Sequence, residues 1–310
     1  MFTSVNPYKS IARASIVAVA ICACSGDTSS GSRVAYAANG VGVPAEAATA
    51  VLVGAGDIAA CGSNGAAATA RLLAATPGTI FTVGDNAYGS SRNNRPMTCF
   101  AATWGRFKDR TRPAIGNHEY EERYLDSYFT YFGKAAGERG KGYYSYDLGG
   151  WHIIALNTMI DTDPSSPQGQ WLAADLKAHR ALCTLAYFHH PRFSSGPHHT
   201  SGSAVAAWNA LSRAGADVVV AGHDHIYERF APMSANGSLD RARGIREFIV
   251  GTGGASHYPF ARSAANSEIR NNDTFGVLRL TLYPSGYAWK FLPAAGSRFS
   301  DSGAGRCHAV

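Results

Sequence analysis

The sequence has no dense run of lysine and arginine, although its formal net charge is +6 at pH 7 and its pI about 9.0. That absence speaks against a dedicated nucleic-acid interface. It leaves diffuse attraction of small anionic substrates as the milder meaning of the charge. The apolar run over residues 14–23 is too short to span a bilayer. Cysteine is scarce at six, and none of Cys61, Cys99, Cys183 and Cys307 has the close spacing of a zinc site. No side chain reads as a covalent nucleophile.

What is present begins with an address. Lys9 and Arg13 precede the short apolar run, as in a signal-peptide core. Ile21-Cys22-Ala23-Cys24 resembles a lipoprotein cleavage box with Cys24 as the lipidated residue; the rival is ordinary cleavage after Ala35-Tyr36-Ala37. The expected organisation is a signal peptide at 1–24, a flexible tether at 25–49, a catalytic domain at 50–293 and a C-terminal tail at 294–310. The chain is therefore expected to be exported, with membrane contact only through a lipid on Cys24. Oligomeric state is not legible. In an oxidising compartment the four remaining cysteines imply two disulfides. Of three pairings, Cys61–Cys99 with Cys183–Cys307 is favoured, the second tying down the tail.

With 310 residues, 45% of them hydrophobic, the chain has material for one sizeable core or two small ones. Short apolar strands are predicted at 51–57, 79–83, 112–115, 184–188 and 217–221. Helical patterns lie at 65–76, 99–108, 122–132, 167–179 and 203–214. Residues 143–148 and 151–157 read as a hairpin through Gly149-Gly150. Further strands at 247–250, 276–283 and 287–292 make the C-terminal part strand-rich. Trp104, Phe107, Tyr128, Phe129 and Phe132 read as core, and Asp161 and Asp163 as ordinary loop. Alternation early and strand pairing late imply an α/β sandwich with two central sheets and helices outside.

Each of the five strands ends in a loop bearing Asp, Asn or His. These are Asp57; Gly84-Asp85-Asn86-Ala87-Tyr88; Gly116-Asn117-His118-Glu119; His189-His190; and Gly222-His223-Asp224-His225. On extended backbone, residues i and i+2 point the same way, so His223 and His225 would face one point. Loops beyond the carboxyl ends of strands form the sites of open α/β sheets, so all five could share one cleft.

In order and spacing these blocks resemble those of the calcineurin-like metallophosphoesterases. Tyr88, together with Tyr227-Glu228-Arg229, makes them look most like the purple acid phosphatase branch. The resemblance covers residues 57–229 and extends to about 292. It implies a four-layer α/β/β/α sandwich with two central mixed β-sheets. It also implies two metal ions: Asp57, Asp85, Tyr88 and His225 on the first, and Asp85, Asn117, His189 and His223 on the second, with Asp85 bridging. A phenolate suits a trivalent ion; an amide oxygen and two imidazoles suit a divalent one. The implied pair is Fe(III) with Zn, Fe(II) or Mn. A metal-bound hydroxide would attack phosphorus in line, and a histidine would protonate the leaving group.

His118 should face the cleft, with Glu119 orienting it. For the general acid, His199 is favoured over its neighbour His198, without a sequence reason that separates them. His190 reads as packing or as support behind the ligands. Arg92, Arg95 and Arg192 read as solvated surface rather than substrate contacts. Ala59 replaces a glycine usual in the branch, which could crowd the first loop. The chain also resembles the compact form without an extra N-terminal β-sandwich domain. The expected reaction is hydrolysis of small phosphate monoesters. A phosphodiesterase or nucleotidase using the same centre is the alternative, and a non-catalytic surface binding module with this fold the second.

Overall fold

The computed structural model describes residues 47, 49–89, 97–120, 124–198 and 200–308. The expected leader, nearly all of the tether, Arg92, Arg95 and His199 lie outside the described residues. In chain order the elements are β1 (Ala50–Ala55), β2 (Ala59–Ala60), α1 (Gly65–Ala74), β3 (Thr79–Val83), β4 (Ala87–Tyr88), α2 (Met97–Thr103), β5 (Thr111–Ala114), α3 (Asn117–Tyr120), α4 (Tyr124–Phe132), β6 (Tyr144–Leu148), β7 (Trp151–Ala155), α5 (Pro167–Ala178), β8 (Cys183–Tyr187), α6 (Gly202–Arg213), β9 (Val218–Ala221), β10 (Tyr227–Phe230), β11 (Arg246–Val250), β12 (Ser267–Asn271), β13 (Gly276–Tyr283), β14 (Gly286–Pro293) and β15 (Ser302–Arg306). Among the described residues no helix is long and apolar enough to cross a membrane.

Two mixed sheets form the centre. One runs β15-β14-β13-β1-β3-β5 and the other β12-β10-β11-β9-β8-β7-β6. Strand periodicity places the layers. In the second sheet Ile153, Leu185, Tyr187, Val218, Val220, Phe248 and Val250 share one buried cluster with Leu52, Phe81 and Leu280 of the first sheet. The alternating residues Ile154, Ala186, Val219 and Ile249 belong to a separate cluster with Leu172 of α5 and Trp208 of α6. Each of these strands is therefore buried on both faces, which is why they read as unbroken apolar runs. The α1, α2 and α4 side completes the sandwich: Tyr128 of α4 donates to the Pro113 carbonyl of β5 at 3.1 Å. This is the expected four-layer α/β/β/α architecture.

Local chemistry sets the boundaries. α5 and α6 start at serine caps, Ser166 accepting from the Gly169 amide and Ser201 from the Ala204 amide, each at 3.0 Å. The β6–β7 hairpin turns through Gly149 and Gly150, whose φ values of 60° and 86° suit a tight hairpin loop. The helix expected over 99–108 is α2 followed by a 3-10 turn, Trp104–Arg110. Ala59 is accommodated, 1% exposed and paired with Ala87. Trp104, Tyr128, Phe129 and Phe132 are buried as expected, and Phe107 packs against them half-buried.

Among the described residues, five strands escaped the pattern: β2, β4, β10, β12 and β15. β10 contains Glu228 and Arg229, charged residues that are buried because Ser195 and Asp301 satisfy them. β15, expected as tail, pairs with β14 along residues 302–306 although its sequence is glycine-rich. It is held by the Cys183–Cys307 disulfide, and Cys61–Cys99 is the second bond. Both favoured pairings are therefore present.

The Cys183–Cys307 bond closes a separation of 124 residues. Replacing both cysteines by alanine should lower the unfolding free energy by about 3–5 kcal/mol, measured by urea denaturation. A loss below about 1 kcal/mol would mean that strand pairing alone secures β15.

Candidate metal centre

β1, β3 and β5 of one sheet and β8 and β9 of the other are parallel within their sheets. Their carboxyl ends release the five motif loops. Three residues in these loops, Asp57, Asp85 and His223, have φ of 57°, 48° and 69°, a left-handed backbone that non-glycine residues seldom adopt. Such strain persists only where surrounding structure imposes it. Here hydrogen bonds impose it: the Asp57 amide donates to the Gly84 carbonyl at 3.1 Å, and the His223 amide to Asp57 Oδ2 at 3.0 Å. Close approach requires glycine beside them. A Cβ on Gly116 would lie 2.2 Å from Asp85 Oδ1, and one on Gly222 would lie 2.6 Å from Asp57 Oδ2.

The structure brings all seven expected donors together, in two groups. Tyr88 Oη lies 3.0 Å from Asp57 Oδ1, 3.0 Å from His225 Nε2 and 3.3 Å from Asp85 Oδ2. His189 Nε2 lies 2.8 Å from Asn117 Oδ1, 3.1 Å from His223 Nδ1 and 3.4 Å from Asp85 Oδ2. Asp85 Oδ2 is thus common to both groups. Asp85 Oδ1 is occupied by the His118 amide at 2.9 Å, which fixes the carboxylate plane.

The donor chemistry fits cations. Ligands at about 2.1 Å in tetrahedral or octahedral array sit about 3.0–3.4 Å from one another, close to the spacing observed. His189 Nδ1 donates to the Val83 carbonyl at 2.9 Å, so in the neutral ring Nε2 presents a lone pair to the lone pairs of Asn117 and Asp85. A proton could satisfy one of these contacts; a cation satisfies them together. The charges agree. Burial pushes the Asp57 carboxyl up, but His225, His189 and His223 override it and hold it at about 2. Burial pushes His189 down, but Asp85 and Asp57 override that and hold it at about 9. Burial, then Asp57 and Asp85, pushes the Tyr88 hydroxyl well above its ordinary range, so ionising it calls for added positive charge. By contrast, another His/Asp group is self-satisfied, His152 Nε2 meeting Asp175 Oδ2 at 2.7 Å and Ser145 donating to Asp175 Oδ1 at 2.6 Å.

Glu119 does not orient His118. Its buried carboxylate accepts the amides of Gly116 (2.7 Å), Asn86 (2.7 Å), Asp85 (3.0 Å) and Ala87 (3.4 Å). It therefore staples the second and third motif loops together. His118 packs against Tyr88 with ring centroids 4.3 Å apart and the planes tilted by 51°, its Nε2 3.8 Å from Asp85 Oδ2 and its side chain 29% exposed. His190 is half-buried, its Nδ1 2.9 Å from the Thr158 hydroxyl. His198 sits against His223 at 4.2 Å between centroids, and its Nδ1 donates to Asp224 Oδ1 at 2.8 Å.

Sequence reading missed several supports. Asp224, fully buried, also takes the Ser194 hydroxyl and the His198 amide. The loop after β11 brings Ser256, whose hydroxyl meets His225 Nδ1 at 2.7 Å, and Tyr258, stacked on His225 at 4.0 Å. The signal was available: Gly251-Thr252-Gly253-Gly254 follows an apolar strand, as the other site loops do.

A sequence profile described as calcineurin-like phosphoesterase matches residues 44–227. Purple acid phosphatase 15 of Arabidopsis thaliana is 28% identical over 221 residues, covering 59% of this chain and 41% of its own length. Fe(3+)-Zn(2+) purple acid phosphatase 12 of the same plant is 29% identical over 180 residues, covering 50% of this chain and 38% of its own. This chain thus spans less than half the length of either relative. Among solved structures, a purple acid phosphatase from seeds of yellow lupin (Lupinus luteus) superposes with a TM-score of 0.69 at 19% identity. The match covers 82% of this chain and 53% of that one, a likeness of fold.

Because Glu119 holds four amides, Glu119→Ala should cost at least about 2 kcal/mol of stability and lower metal uptake by the purified protein. Denaturation and elemental analysis read the two effects. Unchanged values in both would show that the loops hold themselves.

Proposed function

The chain belongs to the calcineurin-like phosphoesterase family, and from that premise we propose that it hydrolyses phosphate monoesters at a dinuclear metal centre. The observation that carries this reading is the position of Asp85 Oδ2 between the two donor groups. Asp57, Asp85, Tyr88 and His225 would hold one ion, and Asp85, Asn117, His189 and His223 the other. The phenol of Tyr88 favours Fe(III) at the first position, with Zn, Fe(II) or Mn at the second. When bound, two such ions supply electrostatic clamping of the phosphoryl group and an activated water.

The chain's own residues do the rest. Asp85 aligns both donor groups through one oxygen, and Val83 and Ser256 fix the rings of His189 and His225 from behind. His118, at the rim, is placed to donate to a phosphate oxygen. His198 is placed to protonate the departing alkoxide, with Asp224 holding its Nδ1 so that the opposite edge of the ring is available. This shifts the choice from His199, which lies outside the described residues, to His198. The two disulfides support export into an oxidising compartment. The substrate is a small phosphorylated molecule, in keeping with the net charge of +6.

Purified metal-loaded protein should hydrolyse an aryl phosphate monoester faster than the matching diester; the reverse order would favour the phosphodiesterase reading. An iron-loaded sample should absorb in the visible through a tyrosinate–iron transition that Tyr88→Phe removes. A spectrum unchanged by that substitution would take Tyr88 out of the ligand set. His198→Ala should slow alkyl phosphates by roughly a hundredfold or more, and aryl phosphates with good leaving groups much less. Equal slowing of both would deny His198 the acid role.

A further inference from the structure

His198 borders the ligand cluster and also a cavity of about 410 Å³, whose walls include Arg192, Phe193, Thr200, Asn236 and Arg262. Two guanidinium groups dominate it. Arg192 lies over the Phe193 ring, 4.3 Å from its centroid, and its Nε is buried without a hydrogen-bond partner among the described residues. Half-buried and facing a cavity, it is not the solvated surface arginine that the sequence suggested. Arg262 donates from Nε to the Ser194 carbonyl at 2.9 Å and from Nη2 to the His198 carbonyl at 2.6 Å. These neutral acceptors orient its plane without cancelling its charge.

No ion pair within 4.0 Å joins either guanidinium to an acid among the described residues. The buried Glu247 carboxylate beneath the loop is taken up by the backbone amides of Arg192 (2.7 Å) and Phe193 (3.1 Å). Burial, helped by Glu228, pushes Glu247 up to about 8 against the pull of those amides and of the Arg192 charge, so it carries little negative charge at neutral pH. Asp224 is turned to Ser194 and His198 rather than to either guanidinium. The cavity thus presents two guanidinium groups with no carboxylate in direct contact among the described residues, beside an aromatic wall.

We infer that this cavity is the leaving-group subsite and that it takes an anionic substituent, a second phosphate or a carboxylate, on the alcohol part of the ester. The inference rests on the phosphatase reading. In the reaction water forms the new P–O bond and the ester P–O bond breaks. Its electron pair stays on the alcohol oxygen, which takes a proton from His198, and phosphate and free alcohol result. The oxygen that His198 protonates must lie against His198, so the rest of the alcohol continues into the cavity that His198 borders. Guanidinium groups bind phosphate and carboxylate through paired N–H donors.

The test compares kcat/KM for three esters of one chain length. They are the bisphosphate of a three-carbon diol, its monophosphate with a free hydroxyl, and the analogue ending in a carboxylate. The hydroxyl ester is the internal reference. The native protein should favour the anionic esters by about tenfold or more. Arg192→Met, which keeps packing on Phe193, should bring the ratio close to one, and Arg192→Glu should bring it below one. A preference for only one of the two anions supports the subsite and names its ligand. Turnover of the hydroxyl ester with no preference for either anion, or a preference that both variants retain, overturns the subsite and leaves the phosphatase reading standing. Absence of turnover of all three by metal-loaded protein overturns both.

Discussion

One carboxylate oxygen, Asp85 Oδ2, is shared by two groups of donors, and the site depends on that sharing. Each group draws on both sheets: Asp57, Asp85, Tyr88 and Asn117 follow strands of one, while His189, His223 and His225 follow strands of the other. The sandwich must therefore pack in one register for Asp85 to serve both. Buried lone pairs and carboxylates at such spacing are costly unless positive charge lies among them. The fold accepts that cost, together with the left-handed backbone at Asp57, Asp85 and His223.

Buried acids brace the arrangement. Glu119 joins the loops after β3 and β5 through backbone amides. On the other sheet, Asp224, Glu228 and Glu247 hold the loop of residues 192–198 from below, through Ser194 and His198, Ser195, and Arg192 and Phe193 respectively. Gly196 is needed because a Cβ there would lie 2.2 Å from Asp224 Cγ. Since each of these carboxylates is engaged by the loop itself, the loop holds His198 and Arg192 beside the cavity, where Arg262 reaches back to the Ser194 and His198 carbonyls. The same buried acids thus fix both His198 and the wall of the cavity that carries Arg192.

Much of this was legible in the sequence, and for definable reasons. Strands buried on both faces read as apolar runs, and the polar residues at their ends stand out against them; that contrast located Asp57, Asp85, Tyr88, Asn117, His189, His223 and His225. The double glycine at 149–150 marked a hairpin. Less visible were elements stabilised by partners distant in sequence. β10 hides because Arg229 and Glu228 look solvent-facing until Asp301 and Ser195 are placed beside them. β15 hides because Ser302–Arg306 has little strand propensity and is held by pairing and a disulfide. Glu119 was misassigned because its sequence neighbour is His118, whereas its partners are amides on another loop. His198 could not be tied to Asp224 from sequence, because its partner lies on a separate loop 26 residues away.

The most direct test of the shared carboxylate is anomalous X-ray diffraction from crystals loaded with iron and zinc. Two metal peaks about 3.5–4 Å apart, with Asp85 Oδ2 within bonding distance of both, are the predicted result. A single peak, or two peaks of which Asp85 reaches only one, would contradict the account.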